Sequence, residues 1–216
     1  MTSQGPEQGL VTKFGRPADL PPLFLSTERT TIQPFTTAEK KAFRKDGHII
    51  YPFSLQTIKT QEEARKPFHF QDNYGSKFKT TSSMVGEVAF IPNPKRFFIP
   101  GSNNKTYEQQ EELVKLYEKH LQKSLKLPEN VRVVMGQAPD YTQLAFIHLE
   151  ETGERLFGLE YGFNFTRTKT SISTHDVANV GSFYSTIGLH VYGWPIYGGL
   201  DKVFVVPLVV SVAPSF

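Results

Sequence analysis

The spacing of hydrophobic and polar residues predicts two main helices in the middle of the chain. Between Thr106 and Pro128, apolar residues recur every three or four positions, which is the period of one helix face. Thr106 and Gln109 also have the capping-box spacing that marks a helix start. A second helix is predicted from Pro139–Asp140 to Gly153, because glycine commonly ends helices. Each helix has an apolar side that is expected to pack on a sheet.

Short runs of β-branched and aromatic residues predict strands on both sides of these helices. They occur at 48–53, at 68–70 with 86–91 as a hairpin, and at 131–135. From residue 155 to the end only seven residues are charged, so this C-terminal third is predicted to be mainly strands. The fold class is therefore α+β: an antiparallel or mixed sheet, built largely from the C-terminal third and the 48–99 strands, covered on one face by the two main helices.

The N-terminal part of the chain has a different composition. Residues 1–35 contain five prolines and little periodicity, which predicts an extended arm. No linker or repeat follows, so residues 36–216 are predicted to form one domain. Within it, the capping-box spacings of Thr36 with Glu39 and of Thr60 with Glu63 predict two short helices.

Composition and charge narrow the class of protein. The 24 basic and 21 acidic residues give a net charge of +3 and are interleaved, which does not favour nucleic-acid binding. The absence of cysteine excludes disulfides and thiolate metal sites. There is no signal-peptide pattern and no run long enough to span a bilayer, so a soluble, cytoplasmic protein without membrane partners is expected.

The apolar segment from Val203 to Val212 would promote aggregation if it were exposed. It is therefore expected in a central strand or at a subunit interface. The second arrangement would make the protein a homodimer.

Three short motifs carry a resemblance to a known group of proteins. They are the sequences Gly-His-Ile-Ile-Tyr-Pro at 47–52, Pro-Asn-Pro-Lys-Arg-Phe-Phe-Ile-Pro-Gly-Ser at 92–102, and Ala-Phe-Ile-His-Leu at 145–149 with Thr-Gly-Glu-Arg-Leu-Phe-Gly at 152–158. With these motifs the chain resembles an uncharacterised bacterial domain family over roughly residues 45–210. The resemblance implies a bacterial setting and supplies no activity, cofactor or catalytic residue.

Arginines among aromatic residues form the first candidate site. Arg96, Arg155 and Arg167 all have aromatic neighbours in sequence, and Tyr161 begins an alternating aromatic run. A guanidinium group can stack on a ring and present its N–H groups to a carboxylate or a phosphate. These four residues are the predicted ligand-binding set. The alternative is that each arginine pairs with a nearby acid such as Glu154 for structural reasons.

Histidines in predicted strands form the second candidate site. Alternation along the strands could bring His48, His69 and His190 onto one sheet face beside Glu87, where imidazoles and a carboxylate could transfer protons or hold a divalent metal. Ordinary buried histidines are the competing interpretation. No spacing typical of a metal-ligand motif is present, and no metal ion or cofactor is assigned.

The sequence contains no motif for a catalytic nucleophile or a phosphate-binding loop. The favoured function is a non-enzymatic binding module that recognises a small anionic ligand or a protein partner through an aromatic and arginine-bearing pocket. The alternative is an enzyme that uses histidine and carboxylate groups, with or without a divalent metal.

Overall fold

A computed structural model of the chain describes residues 32–64, 66–70 and 76–213. The helices are α1 (Thr37–Asp46), α2 (Ile58–Glu63), α3 (Ser76–Thr80), α4 (Tyr107–Leu125) and α5 (Ala138–Thr152), with a 3-10 turn at Leu159–Tyr161. The strands are β1 (Ile32–Gln33), β2 (Ile49–Phe53), β3 (Phe68–Phe70), β4 (Gly86–Phe90), β5 (Val131–Val134), β6 (Phe165–Ser171), β7 (Asp176–Tyr184), β8 (Gly188–Pro195), β9 (Val203–Phe204) and β10 (Leu208–Val212).

The α+β class is confirmed. The strands form two sheets, whereas the sequence predicted one. The first sheet has the order β1-β10-β4-β2, and β5 also pairs with β10. The second sheet has the order β3-β8-β7-β6-β9 and is mixed, because β3 runs parallel to β8 and β9 runs parallel to β6. The apolar segment at 203–212 contributes β9 and then β10, which is paired within the first sheet.

Helix α5 lies between the two sheets. One core cluster joins Tyr141 and Leu144 of α5 to Val88 of β4 and Val180 of β7. The second cluster joins Ala89, which points to the other face of β4, to residues of α1 and α4. The two main helices therefore lie on opposite faces of the first sheet. The physical reason is that β4 is apolar on both of its faces, as expected for a strand that is buried on both sides.

Local signals correctly placed several element boundaries. The capping boxes at Thr36 and Thr106 are both formed, and α5 ends at Gly153 in the left-handed conformation. The short helix α2 begins one turn earlier than predicted, with Thr57 as its N-cap.

Two other predictions have different outcomes. Strands β3 and β4 do not form a hairpin, because they belong to different sheets. The predicted arm at 1–35 lies outside the described residues except for 32–35, within which Ile32–Gln33 pair with β10. Among the described helices, none is long and apolar enough to cross a membrane.

Asp140 fixes the start of α5. Its carboxylate is fully buried and accepts hydrogen bonds from the backbone N–H groups of Met84 and Gln137, both at 2.6 Å. Burial raises the pKa of Asp140 to about 7, although the two amide donors favour its ionised form. The side chain therefore connects the helix start to the segment that precedes β4.

We expect Asp140→Asn to lower the free energy of unfolding by about 1–3 kcal/mol, the cost of leaving one buried donor unsatisfied. The asparagine amide nitrogen cannot accept a hydrogen bond, so one of the two backbone N–H groups loses its partner. Urea unfolding followed by circular dichroism measures this difference. Asp201→Asn is the matched control, because Asp201 is exposed and its replacement should stay within about 0.5 kcal/mol of the unmodified protein. Equal stability of the two variants would contradict the assigned role of Asp140.

Candidate functional site

A cleft of about 1040 Å³ opens beside the C-terminal end of α5. Its walls come from the start of β2, the 91–96 segment, the last turn of α5, the 154–163 segment and the end of β7. The cleft thus lies where the two sheets and the central helix meet. Ligand sites are commonly concave and largely apolar, with a few polar groups that converge on the ligand.

The segment after α5 has an unusual backbone that shapes the cleft. The chain leaves the helix at Gly153, and two aromatic residues, Phe157 and Phe163, adopt positive φ angles of 62° and 50°. Such angles are rare for bulky side chains and persist only where the surrounding structure imposes them. Phe157 is buried in the core, whereas Phe163 lines the cleft.

Two stacked rings form an aromatic wall of the cleft. The rings of Phe163 and Tyr184 lie 4.4 Å apart at an interplanar angle of 13°. Both residues are only half-buried and line the cleft. Their exposed surfaces offer a flat apolar contact to a bound molecule.

Arg155 is the cleft residue best placed to hold an anion. Its guanidinium carbon lies 5.7 Å from the centroid of the Phe183 ring, within the range of a cation–π contact. Its Nε atom is buried and has no hydrogen-bond partner within residues 32–64, 66–70 and 76–213. Among the described residues, no carboxylate lies within 4.0 Å of its nitrogens. The Arg155 side chain is therefore half-buried and cationic, and no described residue serves as its counter-ion.

Arg96 also lines the cleft, but two of its N–H groups are already bonded to Asp46. Its guanidinium donates 2.8 Å hydrogen bonds to the backbone oxygen and to Oδ2 of Asp46. This contact connects the 91–96 segment to the end of α1. The pairing resembles the structural role considered from the sequence, although the acid is Asp46.

Tyr161 is a buried part of the cleft wall. Its hydroxyl donates a hydrogen bond to the Pro92 carbonyl, and its ring centroid lies 4.8 Å from that of Phe97. Burial raises the pKa of Tyr161 to about 12. It holds two of the cleft segments against each other.

Arg167, the fourth member of the predicted set, lies away from the cleft and has no solvent exposure. Its guanidinium donates to the backbone oxygens of Pro195, Ile196 and Gly198. Burial lowers the pKa of Arg167 to about 10. The structure thus brings together Arg96, Arg155 and Tyr161 and places Arg167 in the interior.

The predicted histidine and carboxylate set is divided between the two sheets. His69 and His190 are cross-strand neighbours in the second sheet, with ring centroids 4.5 Å apart. His48 and Glu87 belong to the first sheet region, where His48 lies 3.2 Å from Asp46 and Glu87 accepts a hydrogen bond from Lys40.

The histidines of this set also differ in their local environments. Burial lowers the pKa of His48 to about 4, and His190 donates to or accepts from the Tyr192 hydroxyl at 2.8 Å. Within the described part of the chain, no group of three histidine, aspartate or glutamate side chains is arranged to hold a metal ion.

His148 is a cleft residue that sequence reasoning did not select. It lies in the last turn of α5 with 2% of its surface exposed, and its Nδ1 atom is 2.9 Å from the Tyr51 hydroxyl. Its Nε2 atom has no hydrogen-bond partner in the described part of the chain and is 3.9 Å from a carboxylate oxygen of Glu154. The sequence signal was a histidine followed six residues later by a glutamate, just beyond a helix end. That spacing matches no known catalytic or metal-ligand motif.

Comparisons of this chain with family models, with curated proteins and with solved structures found no match. The resemblance to an uncharacterised bacterial domain family therefore stays a prediction.

Proposed function

We propose that the protein is a non-enzymatic binding module whose cleft holds a small organic anion, with Arg155 as the anchor. The observation that carries this proposal is the half-buried guanidinium of Arg155, which lines the cleft and has no carboxylate partner among the described residues. A partly desolvated cation without a counter-ion gains more from an incoming anion than a fully hydrated one does.

The other walls indicate what kind of anion would fit. The Phe163 and Tyr184 rings provide apolar contact for the body of the ligand. Glu154 and Glu160 also line the cleft and would repel a highly charged ligand. Arg96 keeps its pairing with Asp46. One available guanidinium, two carboxylates and an aromatic wall together favour a monoanion with a flat apolar body, such as an aromatic carboxylate.

We expect Arg155→Met to weaken the binding of such an anion by about 10-fold to 100-fold, the loss that corresponds to one charge-assisted hydrogen-bond contact. Methionine keeps most of the apolar stem and removes the guanidinium. Thermal-shift screening with benzoate, benzenesulfonate, acetate and inorganic phosphate would first identify a bound probe, because a ligand of the native state raises the melting temperature. Calorimetric titration would then compare the dissociation constants.

Arg96→Met is the matched control for this experiment. It removes the same group from the same cleft, but its guanidinium is bound to Asp46, so the dissociation constant should change by less than about threefold. If Arg155→Met bound the probe as tightly as the unmodified protein, Arg155 would not be the anchor. If no anion in the panel raised the melting temperature, the proposed function would lose its support.

A cytoplasmic location and a bacterial setting complete the proposal. They are supported by sequence composition and by the motif resemblance respectively.

A further inference from the structure

The side chain of His148 is buried in the wall of the cleft, and its Nε2 atom has no hydrogen-bond partner among the described residues. The ring is held on one side by the 2.9 Å contact of Nδ1 with the Tyr51 hydroxyl, and it packs against the Phe90 ring at 6.0 Å. Nε2 makes no hydrogen bond to any residue that the structure describes. Buried polar atoms are nearly always satisfied, so an orphaned atom on a cleft wall requires an explanation.

The charged and titratable groups around His148 come from every segment that packs on it. They are Tyr51 from β2, Glu151 and Glu154 from the end of α5 and the turn after it, Arg155 and Glu160 from the 154–163 segment, Tyr161 from the 3-10 turn, and Arg96 from the 91–96 segment. Of these, the carboxylate of Glu154 is the group within 4.0 Å of Nε2, and its side chain is 76% exposed. Being so exposed, it can move aside at little cost when a ligand enters.

We infer that the cleft binds its organic anion together with one proton, and that this proton resides on His148, whose Nε2 atom donates to the anion beside Arg155. This inference rests on the proposed function and specifies the chemistry of the same site. The ligand would receive two donors, a permanent cation and a histidine that becomes cationic only when the anion is present. The resident carboxylate of Glu154 would give up its place near Nε2.

The pKa of His148 is expected to be lower in the empty cleft than in the cleft with a bound anion. Burial lowers the pKa of His148, and Glu154 only partly opposes this effect, so the imidazole is neutral in the empty cleft at neutral pH. A bound anion next to Nε2 favours the charged imidazolium and raises that pKa. The bound state therefore holds more protons than the free state between the two pKa values.

The sign of the pH dependence follows from this difference. Affinity is expected to increase as the pH falls through the pKa of the bound state, and to level off below the lower pKa of the free state. Within that window the dissociation constant should change by up to about tenfold per pH unit. An anion site made of arginine alone would be insensitive to pH in this range, because arginine remains charged.

The test is calorimetric titration of the 216-residue chain with benzenesulfonate and with benzoate near pH 6.5, roughly the ordinary pKa of histidine. Each titration is run in Bis-Tris and in imidazole, two buffers that differ in ionisation enthalpy and do not compete as anions. The difference in observed heat gives the number of protons taken up. We expect uptake of more than about half a proton for both anions. His148→Gln should still bind both anions, with proton uptake abolished.

The two probes identify where the proton resides. Benzenesulfonate is too weak a base to accept a proton, so uptake with this probe supports the inference and uptake with benzoate alone overturns it. Binding without uptake, or uptake that persists in His148→Gln, also overturns it. Should His148→Gln fail to fold, the comparison of the two anions on the unmodified protein still decides. If neither anion binds at any pH, the proposed function itself fails, which is a result distinct from pH-independent binding.

Discussion

Replacing Arg167 with alanine is expected to lower the free energy of unfolding by about 3–5 kcal/mol, through the cavity that it leaves and the buried acceptors that it abandons. Arg167 has no solvent exposure, and its guanidinium donates to the carbonyl oxygens of Pro195, Ile196 and Gly198 at 3.2, 3.4 and 2.7 Å. These contacts attach the segment after β8 to strand β6. Urea unfolding monitored by tryptophan fluorescence would report the loss, because Trp194 lies next to this segment.

Arg132→Ala is the matched control for Arg167. Arg132 is half-exposed and pairs with Glu118 on the surface, a contact that contributes up to about 1 kcal/mol. Arg167→Met adds a further comparison, since it restores much of the lost volume but none of the donors. A loss in Arg167→Ala no larger than that in Arg132→Ala would show that the buried guanidinium does not hold the segment. Loss of ligand binding with unchanged stability would restore Arg167 to the ligand-binding set.

Gly188→Ala is expected to lower the free energy of unfolding by about 2–5 kcal/mol, the combined cost of a left-handed backbone angle and of an overpacked contact. Gly188 has φ +91°, and a Cβ atom placed there would overlap the Pro67 carbonyl, with the carbonyl carbon only 2.5 Å away. The Pro67 oxygen also accepts a 2.9 Å hydrogen bond from Leu189. It cannot retreat without disturbing the junction of β3 and β8.

Gly101→Ala separates the two contributions to that cost. Gly101 has a similar angle, φ +71°, but no atom lies within 4 Å of a Cβ placed there. Gly101→Ala should therefore lower the free energy of unfolding only by the cost of the backbone angle, about 1–2 kcal/mol. Urea unfolding midpoints of the two variants measure the difference. Equal losses would mean that the close approach to Pro67 has no energetic weight.

Sequence reasoning identified helix ends better than strand partners. A capping box such as that of Thr36 and Glu39 involves residues three positions apart, so the chain specifies it locally. The same pattern can occur in two overlapping registers, and this ambiguity explains why α2 begins after Thr57 when a cap at Thr60 was predicted. Strands β3 and β4 illustrate the opposite case. Strand β3 pairs with 188–195, and β4 pairs with 49–53 and with 208–212, all too far away in the chain for short-range spacing to reveal.

The candidate site shows the same division. Arg96, Arg155 and Tyr161 were selected for their aromatic neighbours in sequence, and they do line one cleft. Arg167 has equally aromatic neighbours, but the segment at 195–198 covers it. His148 was passed over, because its relation to Tyr51 depends on a contact across 97 residues. Neighbours in sequence describe a side chain's immediate surroundings, whereas its exposure is decided by whichever distant segment packs over it.

The amino-acid sequence by itself determined the α+β class, the two main helices with their caps and the strand character of the C-terminal third. These features follow from side-chain periodicity and from hydrogen bonds between residues a few positions apart. Only the tertiary structure decided that the strands divide into two sheets around α5, that among the described residues Arg155 has no carboxylate partner while Arg96 has one, and that His148 lines a cleft. Each of these depends on contacts between segments that are remote in the chain, where burial and charge are set by packing and not by local pattern.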